Sequence, residues 1–384
     1  MVKVFSTMKI ALIGTTLFHQ GAEYVLASVA RGLANCGHEV TVVLSKYQEV
    51  WQAEHPEWKP FELPQSVQLV VLSACRARNS IVQLRKMIKK GGYDVIMSHS
   101  ASHTEALAVA SLGLKRKPKL IHVEHSGLIG VNYEGERIEP NGSLRTRLSN
   151  WLMLRLDAQF AVSEGTANAI SRMTGYPREK VYTVYNPVID DLFLQKQQQM
   201  PQFNSGVKNR NVPIVMAAGA FCDLKRHLLL IEAFAKVLES HDAQLVIWGD
   251  GSLRQAYEEK IQALGLEGKV FLPGFTNCLP AELKNADCFV VSSTIESFSI
   301  VLVEALACGV PVVATDCPYG PREILHDGAY GELVKNKDVE ALANGIKKVL
   351  SGQGVLPMPQ MVEPFEIKSV IRAYETNMRT VLNS

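Results

Sequence analysis

A short β-branched run, a turn and an amphipathic helix succeed one another along almost the whole chain, and this alternation leaves few architectures open. A strand that must be followed by a helix before the next strand pairs in parallel with its neighbours, so the pattern predicts parallel sheets covered by helices. Ile10–Ile13, Val40–Leu44, Gln68–Leu72, Asp94–Met97, Lys119–Val123, Gln159–Val162 and Lys180–Val184 read as strands of one doubly wound domain. The central ones are nearly continuously apolar, as strands buried on both faces must be. The first helix carries Val25, Leu26, Val29 and Leu33 at helical spacing; it begins near Gly21 and stops at Gly37, a residue suited to a left-handed cap.

The pattern pauses near Asn186-Pro187, and residues 195–211 contain no periodic apolar set, which marks them as a linker. A second series follows: Pro213–Ala218, His227–Leu238, Gln244–Trp248, Ser252–Leu264, Val270–Leu272, Asp287–Val291, Ile300–Cys308, Val310–Ala314 and Asp338–Leu350. The expected organisation is a first Rossmann-like domain over residues 1–190, a second over 191–365, and a helix over 366–384 packing back toward the first. A length of 384 residues suits two cores. Doubly wound sheets bind ligands beyond the carboxyl ends of their strands, so the expected site is a cleft between two such domains.

Composition narrows the classes further. An apolar fraction of 47% and a charged fraction of 20% fit a folded globular chain. No apolar run reaches membrane-spanning length and the first residues do not form a secretory signal, so a cytoplasmic protein is expected. The seven cysteines include no C-x-x-C pair and read as reduced thiols. Residues 1–190 hold 22 Lys and Arg against 16 Asp and Glu, whereas residues 191–384 hold 18 against 22. Two basic clusters, Arg85/Lys86/Lys89/Lys90 and Lys115/Arg116/Lys117/Lys119, suit the inner face of an anionic membrane or an acidic acceptor, or else are solvated helix faces. No nucleic-acid partner is indicated.

The most informative stretch runs from Glu296 to Pro311, where Glu296 and Glu304 stand with seven residues between them at and inside an otherwise apolar helix. The preceding strand delivers Glu296 to a loop at its carboxyl end, and the helix that follows offers unbonded backbone N–H groups and a dipole to an anion. A carboxylate among Val303, Ala305 and Leu306 demands a polar partner, either a nearby Lys or Arg or a ligand.

The spacing Glu-x7-Glu followed by Ala-x-Ala-x-Gly-x-Pro-Val-Val resembles glycosyltransferase family four, the retaining group 1 enzymes of the GT-B fold. Further segments similar to that family occur in order: Gln20-Gly-Ala-Glu23, Gly37-His-Glu-Val40, Val162-Ser-Glu164, Asn186-Pro187-Val188, Gly219 to Lys225, Gly249-Asp-Gly251 and Phe271-Leu-Pro-Gly274. The resemblance implies an α/β GT-B chain of two Rossmann-like doubly wound domains facing a central cleft. It implies that Glu296 contacts the donor sugar, that Glu304 contacts the nucleotide ribose, and that the amides of Phe298, Ser299 and Ile300 face sugar and diphosphate. His125 matches the family's active-site histidine, with His122 and Glu124 as neighbours. Gly21, Gly219 and Gly274 fall at donor-side turns, and Lys225 is expected to supply counter-charge to the diphosphate.

Departures from the family pattern are as informative. Gln20 stands where the family has a glycine, and Ser297 and Ser299 replace two more. Ala220 replaces the arginine usual after the glycine at Gly219, which removes one expected phosphate contact and leaves open whether Arg226 compensates. No Asp-x-Asp motif or metal-spaced cluster occurs, so no metal or other cofactor is expected. The implied activity is retaining transfer of a hexose or N-acetylhexosamine from a nucleotide diphosphate sugar, UDP-linked in preference to GDP-linked. The implied acceptor is a glycan, lipid-linked or a cell-surface polysaccharide precursor. A nucleotide-sugar epimerase, a sugar phosphorylase of the same fold and a non-catalytic nucleotide-sugar-binding partner remain as alternatives. A hydride-transfer enzyme is disfavoured because no G-x-G-x-x-G turn follows Gly14.

Overall fold

In the computed structural model the alternation closes into two separate parallel sheets. The structure describes residues 6–18, 21–56, 59–115, 117–126, 129–132, 136, 138, 142–201 and 211–384. Gln20, Arg116 and the stretch 202–210 of the expected linker therefore lie outside the described residues.

The first unit comprises Met1–Gly130, Glu139–Pro187 and Ile367–Ser384. Its strands β1 (Lys9–Gly14), β2 (Glu39–Leu44), β3 (Gln68–Val71), β4 (Val95–Ser98), β5 (Lys119–Glu124), β6 (Ala158–Ala161) and β7 (Val181–Thr183) form a sheet in the order β3-β2-β1-β4-β5-β6-β7. Between them run α1 (Gly21–Asn35), α2 (Tyr47–Glu54), α3 (Ile81–Gly91), α4 (Ala101–Ser111), α5 (Leu144–Met153) and α6 (Glu164–Thr174). Ile10, Ala11, Leu12 and Ile13 of the central strand are all buried, which is why that run is apolar without alternation. Gly37 ends α1 with φ of 85°, in the left-handed region a glycine enters without cost.

The second unit comprises Val131–Ile138 and Val188–Glu366. It contains α7 (Asp191–Gln198), β8 (Ile214–Ala218), α8 (His227–Leu238), β9 (Gln244–Trp248), α9 (Arg254–Ala263), β10 (Val270–Gly274), α10 (Leu279–Glu282), β11 (Cys288–Val291), α11 (Ile300–Ala307), β12 (Val312–Thr315), α12 (Gly320–Ile324), β13 (Glu332–Val334) and α13 (Val339–Lys348). The strand order is β10-β9-β8-β11-β12-β13, again with parallel pairing throughout. Sequence periodicity gave no sign of α7 or β13. The first has a single fully buried side chain, Phe193, and the second is a three-residue edge strand that is half-buried throughout. After this unit the chain returns to the first as α14 (Ile367–Asn383), which packs on α1.

In both sheets the strand order reverses at one place, between β1 and β4 in the first and between β8 and β11 in the second. Loops leaving the carboxyl ends of two such strands diverge and open a crevice, so these two reversals are where side chains for a ligand are expected. All seven cysteines are unpaired.

Candidate functional site

At the reversal of the second sheet, glycines let three loops approach more closely than side chains permit. Gly219 N donates to Trp248 O at 2.9 Å and Phe221 N to Asp250 O at 2.9 Å. A Cβ on Gly249 would lie 2.0 Å from Gly219 O, and one on Gly251 would lie 2.6 Å from Phe221 O. Gly274, at φ 96°, ends β10 and accepts from Gly249 N at 2.8 Å. The aliphatic stem of Lys225 lies across Gly219, 3.3 Å from where its Cβ would stand. The glycine pattern thus builds the floor on which Lys225 rests.

The loop leaving β11 is knitted to the same floor. Ser292 Oγ donates to Lys225 O at 2.8 Å and Thr294 N to Leu224 O at 2.8 Å. Lys225 Nζ and Ser293 Oγ both donate to Glu296 Oε1, each at 2.7 Å. Glu296 is 9% exposed, and its backbone is held by the loop after β12, with its N–H donating to Pro318 O at 2.6 Å. Burial by itself acts to lower the Lys225 pKa, but the Glu296 carboxylate raises it overall, so Lys225 keeps its charge at neutral pH.

Helix α11 starts four residues after Glu296. Its N-cap, Ser299, has φ 81° and ψ 76°, which explains why a glycine suits that position, and its buried Oγ has no hydrogen-bond partner among the described residues. Phe298 is buried edge-on against Phe365, ring centroids 5.3 Å apart, and a Cβ on Gly320 would meet its carbonyl oxygen at 2.0 Å. The backbone at 298–300 is therefore fixed from both sides.

Glu304, one turn beyond Ile300, is half-buried and makes no hydrogen bond or ion pair among the described residues. Burial pushes its carboxyl up to about 7; Lys196 draws it back and Asp190 adds to the rise. Both of those charges come from α7 and its N-cap, the helix that periodicity did not show. Arg226 is half-buried at φ 49°, and its guanidinium likewise has no partner among the described residues.

Gly21 and His125 belong to the first unit. Gly21 is the exposed first residue of α1. Two residues on, the buried Glu23 Oε2 lacks a partner among the described residues, and burial raises the pKa of its carboxyl. His125 follows β5, and beside it His99 follows the adjacent β4; His99 Nδ1 and His125 Nε2 are 2.9 Å apart with rings stacked at 5.1 Å. Burial lowers His125 to about 4 and His99 well below its usual range, so both rings are neutral at pH 7 and share one hydrogen bond. His122, by contrast, is tied to Thr104 Oγ1 at 2.9 Å and Glu124 Oε2 at 3.3 Å. Sequence reasoning passed over His99, whose one signal is its position directly after a buried strand.

Lys225, Glu296, Gly219 and Gly274 are thus joined through direct contacts or one shared loop, with Ser299, Ile300 and Glu304 on the helix that continues from them. Among the described residues no three His, Cys, Asp or Glu side chains are grouped to hold a metal ion.

Two family models match the chain: Glycosyltransferase Family 4 over residues 19–192 and Glycosyl transferases group 1 over residues 198–363. An uncharacterized glycosyltransferase of Methanocaldococcus jannaschii is 28% identical over 344 residues, 85% of this chain and 84% of that protein. The N-acetylgalactosamine-N,N'-diacetylbacillosaminyl-diphospho-undecaprenol 4-alpha-N-acetylgalactosaminyltransferase of Campylobacter jejuni is 37% identical over 136 residues, 35% of this chain and 37% of that protein. Among solved structures, HepE of Anabaena in complex with UDP superposes with a TM-score of 0.73 at 20% identity, covering 97% of this chain and 100% of that one.

Proposed function

The chain belongs to glycosyltransferase family 4, of the group 1 type and GT-B fold, and we propose that it transfers a hexose or N-acetylhexosamine from a UDP-sugar to a glycan with retention of configuration. The observation that carries this reading is the charge arrangement at the reversal of the second sheet. A protonated Lys225 is held by Glu296, and an unpartnered Glu304 stands on the helix whose first amides are fixed in place. Lys225 and Arg226 supply positive charge to a diphosphate, aided by the N–H groups of Phe298, Ser299 and Ile300. Glu304 accepts from the ribose hydroxyls, for which an acceptor-only carboxylate is suited, and Glu296 does the same for the sugar.

In transfer, the bond between the anomeric carbon and the diphosphate oxygen breaks, and the acceptor oxygen bonds to the same face of that carbon. The acceptor's proton passes to the departing phosphate oxygen. Negative charge grows on the diphosphate as it leaves, and fixed donors there stabilise that growth without reorganising. His125, neutral and oriented by His99, serves as a hydrogen-bonding group to the sugar rather than as a cation. Gly21 admits close backbone approach to the donor. Fixed cations make a divalent metal dispensable in this scheme.

UDP is preferred to GDP because a chain of the same fold binds UDP. A lipid-linked or surface-polysaccharide precursor is preferred as acceptor because the Campylobacter relative is named for a diphospho-undecaprenol acceptor. Such an acceptor puts the protein in the cytoplasm against the inner membrane face; among the described residues no helix is long and apolar enough to cross a membrane. The test is to incubate the purified protein with UDP- and GDP-sugars and lipid-linked glycan acceptors, with and without excess chelator, and to follow products by mass and anomeric proton coupling. Transfer that persists in chelator, with the donor's anomeric configuration kept, is expected. Epimerised donor, phosphorolysis, binding without turnover or an inverted product overturns the reading.

A further inference from the structure

Helix α5 buries one side and leaves a second apolar side in solvent. Leu152 and Met153 face inward and Met153 joins the core under the sheet. Leu144, Leu148 and Trp151 recur at helical spacing and are 83%, 56% and 43% exposed, with Leu154 just past the helix end at 48%. An apolar stripe of this size on a surface helix calls for an occupant.

Among the described residues, the charges carried by the helix itself around the stripe are of one sign. Arg145 and Arg147 flank its first turn, both exposed, and the Arg155 guanidinium lies 3.9 Å from the Trp151 ring centroid. Residues 142–156 include no acidic side chain. Among the described residues, two carboxylates beside this segment are already engaged: Glu105 of α4 accepts from Ser149 Oγ at 2.6 Å, and Asp157 is shared by Lys117 and Lys119 at 3.7 Å each. Helix α4 packs between α5 and α3, and α3 exposes Lys86, Lys89 and Lys90. The fourth cation of that cluster, Arg85, instead caps the carboxyl end of α4 through Ala110 O at 2.8 Å and Leu112 O at 2.7 Å.

We propose that α5 is the membrane-docking element of this protein, lying in the interface of an anionic bilayer with Leu144, Leu148, Trp151 and Leu154 inserted and Arg145, Arg147 and Arg155 on lipid phosphates. Long aliphatic side chains with an aromatic ring, edged by arginines, are the composition of helices that lie in a bilayer interface. The arginine side chains let their stems follow the apolar stripe while the guanidinium groups stay at the headgroups. The basic clusters of α3 and of residues 115–119 then add long-range attraction rather than the contact itself. The inference rests on the transferase reading only in the choice of a membrane as occupant.

Co-sedimentation with phosphatidylglycerol-containing vesicles, against pure phosphatidylcholine vesicles, tests it. The wild-type protein should pellet with the anionic vesicles and be released by salt. Leu144→Gln/Leu148→Gln should lower partitioning about a hundredfold, since both inserted aliphatic side chains are lost. Arg145→Gln/Arg147→Gln/Arg155→Gln should lower it about a hundredfold, at about 1 kcal/mol per cation near an anionic surface. Unchanged circular dichroism and melting show that these exposed positions left the fold intact. Variants that pellet like wild type, or a concentration-dependent dimer abolished by the leucine pair with no vesicle binding, overturn the proposal. UDP titration of the same samples reads the second unit separately: UDP binding without vesicle binding refutes the docking helix alone, and vesicle binding without UDP binding refutes the donor site alone.

Discussion

Two glutamates eight positions apart carry the same group into unlike surroundings. Glu296 is satisfied by Lys225 and Ser293, whereas Glu304 faces an interior whose nearest charges, Lys196 and Asp190, oppose one another. A carboxyl raised to about 7 binds its proton more tightly in the folded chain than in the unfolded one. Its contribution to stability is therefore full below the unfolded value of 4.5 and is lost as pH rises through about 7. Ribose hydroxyls that donate to the carboxylate favour its ionised form, so UDP binding near pH 7 should release protons. UDP affinity should rise about tenfold from pH 6 to pH 8. Calorimetric titration in buffers of different ionisation enthalpy checks this, and a Glu304→Gln protein should release fewer protons and show a shallower pH dependence, the terminal phosphate of UDP supplying what is left. The same titrations separate the two acids. Glu304→Gln should weaken bare UDP by about 1.5–3 kcal/mol, while Glu296→Gln should weaken it less, through Lys225 alone, and lower transfer more. Equal weakening in folded protein would remove the division of roles. At this scale the Glu-x7-Glu spacing was legible, because it lies within one loop and helix. Lys196, Asp190 and His99 were not, because only tertiary packing brings them to their partners.

Among the elements, strands and helices with a buried face announced themselves: α8 and β9 run over the residues that periodicity indicates. Elements with little to bury did not. The polar run Gln195 to Gln199 reads as linker, yet α7 occupies most of it, capped by the Asp190 carboxylate accepting from Phe193 N at 2.9 Å. The entrance to α11 shows the opposite conflict, a helix that composition predicts strongly and that begins on a strained residue. Ser299 holds a left-handed backbone with a buried, unpartnered hydroxyl, and a left-handed L-residue costs roughly 1–2 kcal/mol relative to glycine. Ser299→Gly should therefore raise the unfolding free energy of the ligand-free protein, read from urea titration, by about 1 kcal/mol once the glycine's extra unfolded-state freedom is subtracted. If the hydroxyl holds the sugar or diphosphate, the same variant should bind UDP-sugar more weakly. A variant both less stable and equal in affinity contradicts both halves of the argument.

On the scale of the whole molecule, the chain leaves the first unit at Pro187 and re-enters it at Ile367, so that unit is completed by a helix far from its other elements in sequence. Helix α14 is held there by several kinds of contact. Ile371 sits so close to α1 that a Cβ on Gly32 would lie 2.4 Å from it, and Glu375 Oε1 is 2.9 Å from His38 Nε2 in the interior. Tyr374 is fully buried and meets Phe160 of β6 edge-on, centroids 5.5 Å apart. Truncating such a ring leaves a cavity and removes its apolar transfer, a loss of about 3–5 kcal/mol for an aromatic side chain. The side chains assigned to the nucleotide, Lys225, Arg226 and Glu304, all lie in the second unit, and the first is assigned only the Gly21 backbone on the donor side. Tyr374→Ala should thus lower the melting temperature of the first unit while UDP affinity stays within about threefold of wild type, since 1.4 kcal/mol is already tenfold. Differential scanning calorimetry with and without UDP makes the comparison, because UDP should shift only the transition of the unit that binds it. A UDP-dependent shift of the transition that Tyr374→Ala weakens, or a tenfold loss of UDP affinity in that variant, would place nucleotide-binding groups in the first unit as well.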